Sequence, residues 1–242
     1  MSEHPTERFS NRAEDYRKYR PSYPVAVLDV IVQGLDLGGR VPTVVDLGAG
    51  TGISSQLMAS AGWRVTAIEP NAEMRGQGKL VYLPGRAEET GLPDGFADIV
   101  TAFQAFHWFD PPAALAEFHR ILKPGGRVAL VWNIRSETDP AMVDYGQVVE
   151  NYSGVLGQRW RSGGQLLTSP LFDGGRRQTL EHSDELSFEG LLGRARSASC
   201  LPRVGKEYEA MKADLQAVFD RHEVGGKIRV VYDVVVFLAE RH

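Results

Sequence analysis

The chain has 242 residues, enough for one large α/β unit, and its composition is that of an ordinary globular protein, 43% hydrophobic and 24% charged. A formal net charge of −4 argues against a global field for nucleic acid, and the single cysteine, Cys200, excludes intrachain disulfides and a cysteine-rich metal site. The polar opening Met1–Thr6 predicts no secretory leader, and no apolar run reaches membrane-spanning length, so a soluble cytoplasmic protein is expected.

Residues 1–24 carry aromatic and basic side chains together: Phe9, Tyr16, Arg17, Lys18, Tyr19, Arg20 and Tyr23. Near-helical spacing up to Arg20 is broken by Pro21 and Pro24. This reads as an N-terminal arm that packs on the domain, or as a lid in which Arg20 reaches polar atoms of a ligand. Glu7, Glu14 and Asp15 dilute the charge and argue against RNA. An amphipathic helix follows from Pro24 to about Gly34, with Val25, Leu28, Ile31 and Val32 on one face.

The most informative stretch is Val44-Val45-Asp46-Leu47-Gly48-Ala49-Gly50-Thr51-Gly52. It predicts a buried strand, a glycine turn and a helix opening at Ile53. Glycines at alternate positions allow a tight turn and close approach of a ligand. The helix N-terminus behind them suits an anion. A second strand, Trp63–Ile68, stops at Glu69, where an acid commonly holds a ribose diol. Pro70 fixes the next turn, and Met74 falls one helical turn on, able to pack against a flat ring or into the core.

Leu80–Leu83 predicts the third strand and Ile99–Ala102 the fourth, which runs into Phe103-Gln104-Ala105-Phe106-His107-Trp108-Phe109-Asp110. Pro111 and Pro112 open a helix to Leu122, Lys123-Pro124-Gly125-Gly126 reads as a turn, and Val128–Trp132 as the fifth strand. Strands alternating with helices at this rhythm mean a parallel, doubly wound sheet. From Asn133 to about Gly175 the rhythm is lost. A helix over Pro140–Leu156 and a loop are expected, either capping the ligand crevice or forming a surface excursion. Gln178–His182 predicts a short strand, Phe188–Ser197 and Lys206–His222 predict helices, and Lys227–Ala239 a long last strand, antiparallel beside the fifth.

Asp46-x-Gly48-x-Gly50-x-Gly52, Glu69-Pro70, Gln104-Ala105-Phe106-His107-Trp108-Phe109-Asp110 and Leu122-Lys123-Pro124-Gly125-Gly126, in this order, resemble class I S-adenosylmethionine (SAM)-dependent methyltransferases of the small-molecule type. Within them the chain is similar to the trans-aconitate and ubiquinone/menaquinone methyltransferase-like group, nearest the members with His-Trp-Phe after the fourth strand. The resemblance is good over residues 9 to 132 and looser beyond. It implies a Rossmann-like, doubly wound seven-stranded α/β sheet, parallel except for an antiparallel last strand, with helices on both faces and a helical cap. One domain is expected: an arm (1–24), a cofactor-binding core (25–132), a cap insertion (133–176) and C-terminal strands and helices (177–242). The cofactor implied is SAM and the product S-adenosylhomocysteine (SAH).

Carried over by motif, the resemblance gives Gly48, Ala49 and Gly50 to the methionine part of the cofactor and Glu69 to the ribose hydroxyls. Pro70 and Met74 would flank the adenine. Ala87, through its backbone, and Glu88 would meet the adenine edge, although Arg86 stands where many relatives have Asp. Gln104 would face the amino-acid end or the sulfonium, and Asp46 would stay near the methionine amine. Methyl transfer is an in-line displacement that needs alignment, exclusion of water and, for many acceptors, removal of a proton. His107, just past the fourth strand, is the candidate base, or else packs structurally. A carboxylate acceptor would need no base, and Arg20, Arg135 or Arg161 could clamp it. His119, His182 and His222 lack zinc-ligand spacing, and no metal is expected. The expected partner is a small-molecule acceptor, with no nucleic acid and no membrane, and the protein is a monomer or homodimer. Two alternatives stand beside this reading. One is a non-catalytic SAM-binding regulator. The other is an NAD(P)-dependent oxidoreductase, against which Ile53 replaces the last glycine of the dinucleotide fingerprint.

Overall fold

A computed structural model describes residues 19–76, 80–153, 159–198 and 200–242. The arm residues Phe9, Tyr16, Arg17 and Lys18 lie outside the described residues. In chain order the elements are α1 (Ala26–Val32), β1 (Thr43–Leu47), α2 (Ile53–Ser60), β2 (Arg64–Ile68), α3 (Ala72–Gly76), β3 (Tyr82–Leu83), β4 (Ala97–Phe103), α4 (Pro111–Ile121), β5 (Leu122–Arg135), α5 (Pro140–Ser153), α6 (Gly164–Leu167), β6 (Phe172–Leu186), α7 (Phe188–Arg196), α8 (Gly205–His222) and β7 (Ile228–Arg241). Short 3₁₀ turns occupy Phe106–Trp108 and Arg159–Gly163.

The described strands form one seven-stranded sheet in the order β3-β2-β1-β4-β5-β7-β6. β1 pairs in parallel with both β2 and β4, whereas β7 runs antiparallel to both its neighbours, β5 and β6. The last strand in sequence is therefore the one that runs against the rest, as expected. The order reverses between β1 and β4, and in open α/β sheets that switch point opens the ligand crevice beyond the strand ends. β1 is a near-continuous apolar run because both its faces are covered. On one face Val27, Leu28 and Ile31 of α1 pack with Val44, Ile99, Val131 and Val236. On the other, Ala114, Leu115, Phe118 and Ile121 of α4 pack with Phe106, Val100 and Leu130. The Asp110 carboxylate accepts from Ala113 N at 3.3 Å and starts α4, whose leading prolines stand where a backbone N–H has no helical partner.

A third core lies past the end of the doubly wound half. There α5, α7 and α8 bury Tyr145, Leu191, Met211 and Leu215 against Ile228, Val230 and Tyr232 of β7.

Some boundaries differ from the sequence reading. The third strand shrinks to Tyr82–Leu83, with Val81 exposed. Lys123-Pro124-Gly125-Gly126 does not end an element. β4 pairs Ala97 with Leu122 and then Ile99 with Arg127, so the intervening residues bulge out of a continuous β5. The short strand expected at Gln178–His182 runs instead from Phe172 to Leu186, because β7 offers a full-length ladder to pair with. The excursion expected over 133–176 is narrower at both ends, since Asn133–Arg135 still belong to β5 and Phe172 already to β6. Among the described residues, no helix is long and apolar enough to cross a membrane.

Candidate active site

The turn after β1 holds Gly48, Gly50 and Gly52 at φ of 65°, 58° and 87°, a region that side chains strain to enter. Space decides as firmly as torsion. A Cβ on Gly48 would stand 2.7 Å from Ala105 Cβ and 3.1 Å from Phe109 Cζ, and one on Gly52 would collide with the Tyr82 hydroxyl. Asp46, expected near the methionine amine, faces inward instead. It is fully buried, and its carboxylate accepts from Ser54 Oγ (2.7 Å), Ser55 Oγ (2.5 Å) and Thr101 Oγ1 (2.8 Å). It ties the start of α2 to β1 and β4. Burial raises its pKa, against the opposing effect of the three hydroxyls.

Glu69 closes the other side of the turn. Its carboxylate accepts from Gly50 N at 3.0 Å and from Asn71 N at 2.9 Å, and burial raises its pKa. The acidic loop is pinned by Arg75, whose guanidinium donates to Glu69 O at 2.7 Å and Pro70 O at 2.8 Å. Asn71 Oδ1 caps α3. Met74 is buried, with its methyl group 3.3 Å from where a Gly50 Cβ would be, while Pro70 is exposed. Sequence reasoning missed Arg75, although a guanidinium one helical turn past an acidic loop is a readable signal.

Ala87 is buried in the turn after β3. Glu88 accepts from Asp110 N at 2.8 Å and lies 3.3 Å from Arg86 Nε. This turn is anchored from below by Glu117, also missed, which accepts from Thr90 N and Oγ1 (2.9 and 2.6 Å) and pairs with Arg120. Burial opposes the shift, but the Arg120 and Thr90 hydrogen bonds outweigh it and bring the Glu117 pKa down to about 2.

At the end of β4, Gln104 has φ 54°, the only non-glycine with positive φ among the described residues. Two bonds hold this conformation: Gln104 N donates to Val131 O at 2.8 Å, and its Nε2 donates to Asn133 O at 2.9 Å. Asn133 Nδ2 in turn donates to Ser22 O at 2.9 Å, which fastens the arm to β5. Gly48, Ala49, Ile53, Ser54, Phe103 and Gln104 face Arg20, Pro21 and Tyr23 across a small cleft. The predicted residues Arg20, Gly48, Ala49 and Gln104 are thus brought together there.

His107 sits in the 3₁₀ turn beside this cleft. Trp132 Nε1 donates to its Nδ1 at 3.4 Å, and its ring lies 4.9 Å from that of Trp108. An Nδ1 that accepts from the indole places the neutral ring's proton on Nε2. Of the proposed clamps, Arg161 is exposed in its 3₁₀ turn and Arg135 stacks 5.3 Å above the Tyr145 ring. Among the described residues, no group of three His, Cys, Asp or Glu side chains could hold a metal ion.

The residues present fit an adenosyl amino-acid cofactor. The glycine turn packs too tightly on Ala105 and Phe109 to admit a Cβ at Gly48, which keeps its backbone bare. The buried Thr51 Oγ1 and Asn133 Oδ1 lack partners among the described residues, and a carboxylate with about four lone-pair sites keeps acceptor capacity beyond the two N–H groups that Glu69 already holds.

Comparison with known proteins points the same way. A family profile described as a methyltransferase domain matches residues 45–130. An uncharacterized methyltransferase of Mycobacterium tuberculosis is 37% identical over 146 residues, 58% of each chain, so the match spans little more than half of that relative. An uncharacterized methyltransferase of Schizosaccharomyces pombe is 28% identical over 217 residues, covering 87% of this chain and 86% of its own. Among solved structures, a proposed type II methyltransferase from Anaeromyxobacter dehalogenans shares the fold with a TM-score of 0.70 at 24% identity, over 92% of this chain and 98% of that one. Residues 45–130 thus resemble a methyltransferase domain, on a fold that a solved methyltransferase structure shares.

Proposed function

We propose that this protein transfers a methyl group from SAM to a small-molecule acceptor bound between the glycine turn and the helices beyond β5. The observation that carries this reading is the joint between Glu69 and the glycine turn. There the carboxylate already grips Gly50 N–H and keeps capacity for a ribose diol, beside a cradle that admits no Cβ. In this reading Gly48, Ala49 and Gly50 offer backbone to the amino-acid end. Met74 and Pro70 bracket the adenine ring, with Ala87 giving backbone at its edge. Gln104 and the unpartnered Asn133 Oδ1 supply polar atoms at the crevice floor. SAM supplies an already activated methyl group. The chain's own work is to align, to exclude water and to stabilise the acceptor. His107, with its Nδ1 occupied, acts as a hydrogen-bond donor that orders the loop after β4. The His-Trp-Phe run in its 3₁₀ turn supports a place near the trans-aconitate and ubiquinone/menaquinone methyltransferase-like group.

Calorimetric titration with SAH, NADH and NADPH tests the reading. Micromolar SAH binding with no nicotinamide binding is expected. Tight NADH binding without SAH binding would overturn it.

A further inference from the structure

The sheet ends on a long bare edge. β6 closes the strand order beyond β7, and among the described residues no strand pairs with its outer side. It runs for 15 residues, where a strand commonly has about 5–6. Folded chains usually blunt such an edge with a short strand, a proline or a bulge, because its unpaired N–H and C=O groups invite a further strand. Here the bulge lies at the start, between Asp173 and Arg176, and no proline follows it in the strand. From Arg176 to Leu186 the strand keeps an unbroken register with β7, so its outer backbone groups recur at regular spacing.

The side chains say what fits there. One face of β6 is engaged within the chain: Arg176 holds Glu240 at 2.8 Å, Leu180 packs on the core, and Asp184 holds Arg194 at 3.0 Å. The other face, formed by Arg177, Thr179, Glu181, Ser183 and Glu185, is exposed at every position. Its cation comes first and its two carboxylates last. A parallel neighbour of the same sequence would set like charge against like. An antiparallel copy reverses the order. A two-fold axis through Thr179, perpendicular to the sheet, places Arg177 opposite Glu181 of the second copy and Glu181 opposite its Arg177. The two Thr179 side chains then face each other. Opposite charges and paired threonines are both favourable cross-strand partners. Glu181 also meets Arg229 of β7 at 3.0 Å, and a carboxylate with about four lone-pair sites has room for both cations.

We propose that β6 is an interface between two copies of this chain, which pair antiparallel about Thr179 and join their sheets into one. Main-chain hydrogen bonds supply the affinity, and the charges set direction and register. The proposal is independent of the methyltransferase reading, since β5 and β7 separate β6 from the crevice beyond β1 and β4.

Sedimentation velocity on the full chain over a concentration series tests the interface. A dimer is expected. Arg177→Glu sets carboxylate against carboxylate and Glu181→Arg cation against cation, so each should weaken the dimer tenfold or more. The double exchange restores opposite charges and should return the dimer constant to within threefold of native. Unchanged far-ultraviolet circular dichroism shows that the variants fold. In a Cys200→Ser background, Thr179→Cys should give an intermolecular disulfide on mild oxidation, because facing residues of an antiparallel pair have Cα atoms about 4.5–5.5 Å apart. Ser183→Cys, which stands away from the axis, should not. A chain that stays monomeric up to about 0.2 mM, a dimer that neither reversal weakens, a double exchange that fails to restore it, or equal cross-linking at both positions overturns the proposal.

Discussion

Replacing Glu69 with Gln separates what this side chain does for the fold from what it does for the cofactor. In the fold, its two oxygens accept from Gly50 N and Asn71 N at 3.0 and 2.9 Å. Gln can satisfy only one of them, since its amide nitrogen would face the other as donor against donor. A buried unsatisfied N–H costs about 1–3 kcal/mol. Loss of the buried charge offsets part of this, because desolvation already raises the Glu69 pKa. A net destabilisation of about 1–2 kcal/mol remains, or roughly 2–8 °C in melting temperature for a chain of this size. At the cofactor, hydrogen bonds from ribose hydroxyls to a carboxylate are worth about 1.5–3 kcal/mol. Weakening them by about 2–3 kcal/mol predicts SAH affinity roughly 30- to 140-fold lower. Calorimetry with SAH and with an analogue lacking both ribose hydroxyls isolates the contact. The native protein should distinguish the two ligands, and Glu69→Gln should bind them nearly alike. A folded Glu69→Gln protein that binds SAH within twofold of native would refute the assignment of Glu69 to the ribose.

Gly48→Ala should cost about 1–3 kcal/mol in thermal unfolding and remove measurable SAH binding, because its Cβ would meet Ala105 at 2.7 Å in a left-handed backbone. Asp46→Ala should lower stability by about 3 kcal/mol or more by leaving three buried hydroxyls without their acceptor. Asp46→Asn should be far milder, since the raised pKa of Asp46 marks a charge that the fold holds at a cost. Chemical denaturation of the two variants checks the order. The folded pKa of Glu117, about 2, lies below its unfolded value. Its contribution is therefore complete above about pH 4.5 and is lost as pH falls toward 2. With Arg120 partly in solvent, about 1–2 kcal/mol is at stake, and denaturation at pH 7 and pH 3 should show a smaller difference in Glu117→Gln than in the native protein. His107→Ala should reduce turnover in steady-state kinetics with SAH affinity unchanged in calorimetry, because the turn after β4 loses the imidazole that accepts from the Trp132 indole.

The doubly wound half was legible because its signals are local. The glycine turn, the acid that ends β2 and the strand–helix rhythm each need only a short window of sequence. The hydrogen bonds of Asp46 were not legible because its partners come from α2 and β4, and only the parallel register that sets Asp46 against Thr101 brings them together. β6 was underestimated for a related reason. Gly174, Gly175 and a run of charges through Glu185 have poor strand propensity, yet the ladder to β7 imposes the conformation. On the candidate site, Glu69, Gly48 and Gln104 could be picked out from their motifs. The partnership of Arg135 and Tyr145 could not, since it depends on where α5 comes to rest over the end of β5.

β7 belongs to three cores at once. Its later residues, Val234 to Ala239, lie in the interior shared with β5, while Ile228 to Tyr232 support α5, α7 and α8. A single beam thus carries the sheet interior along one part and the wall of three helices along the other, with no joint between them. Swinging that wall outward would mean unzipping a ladder that runs from Arg127–Glu240 to Arg135–Tyr232. Side chains mounted on this beam can therefore be exchanged while the spacing between the sheet and the helices stays constant.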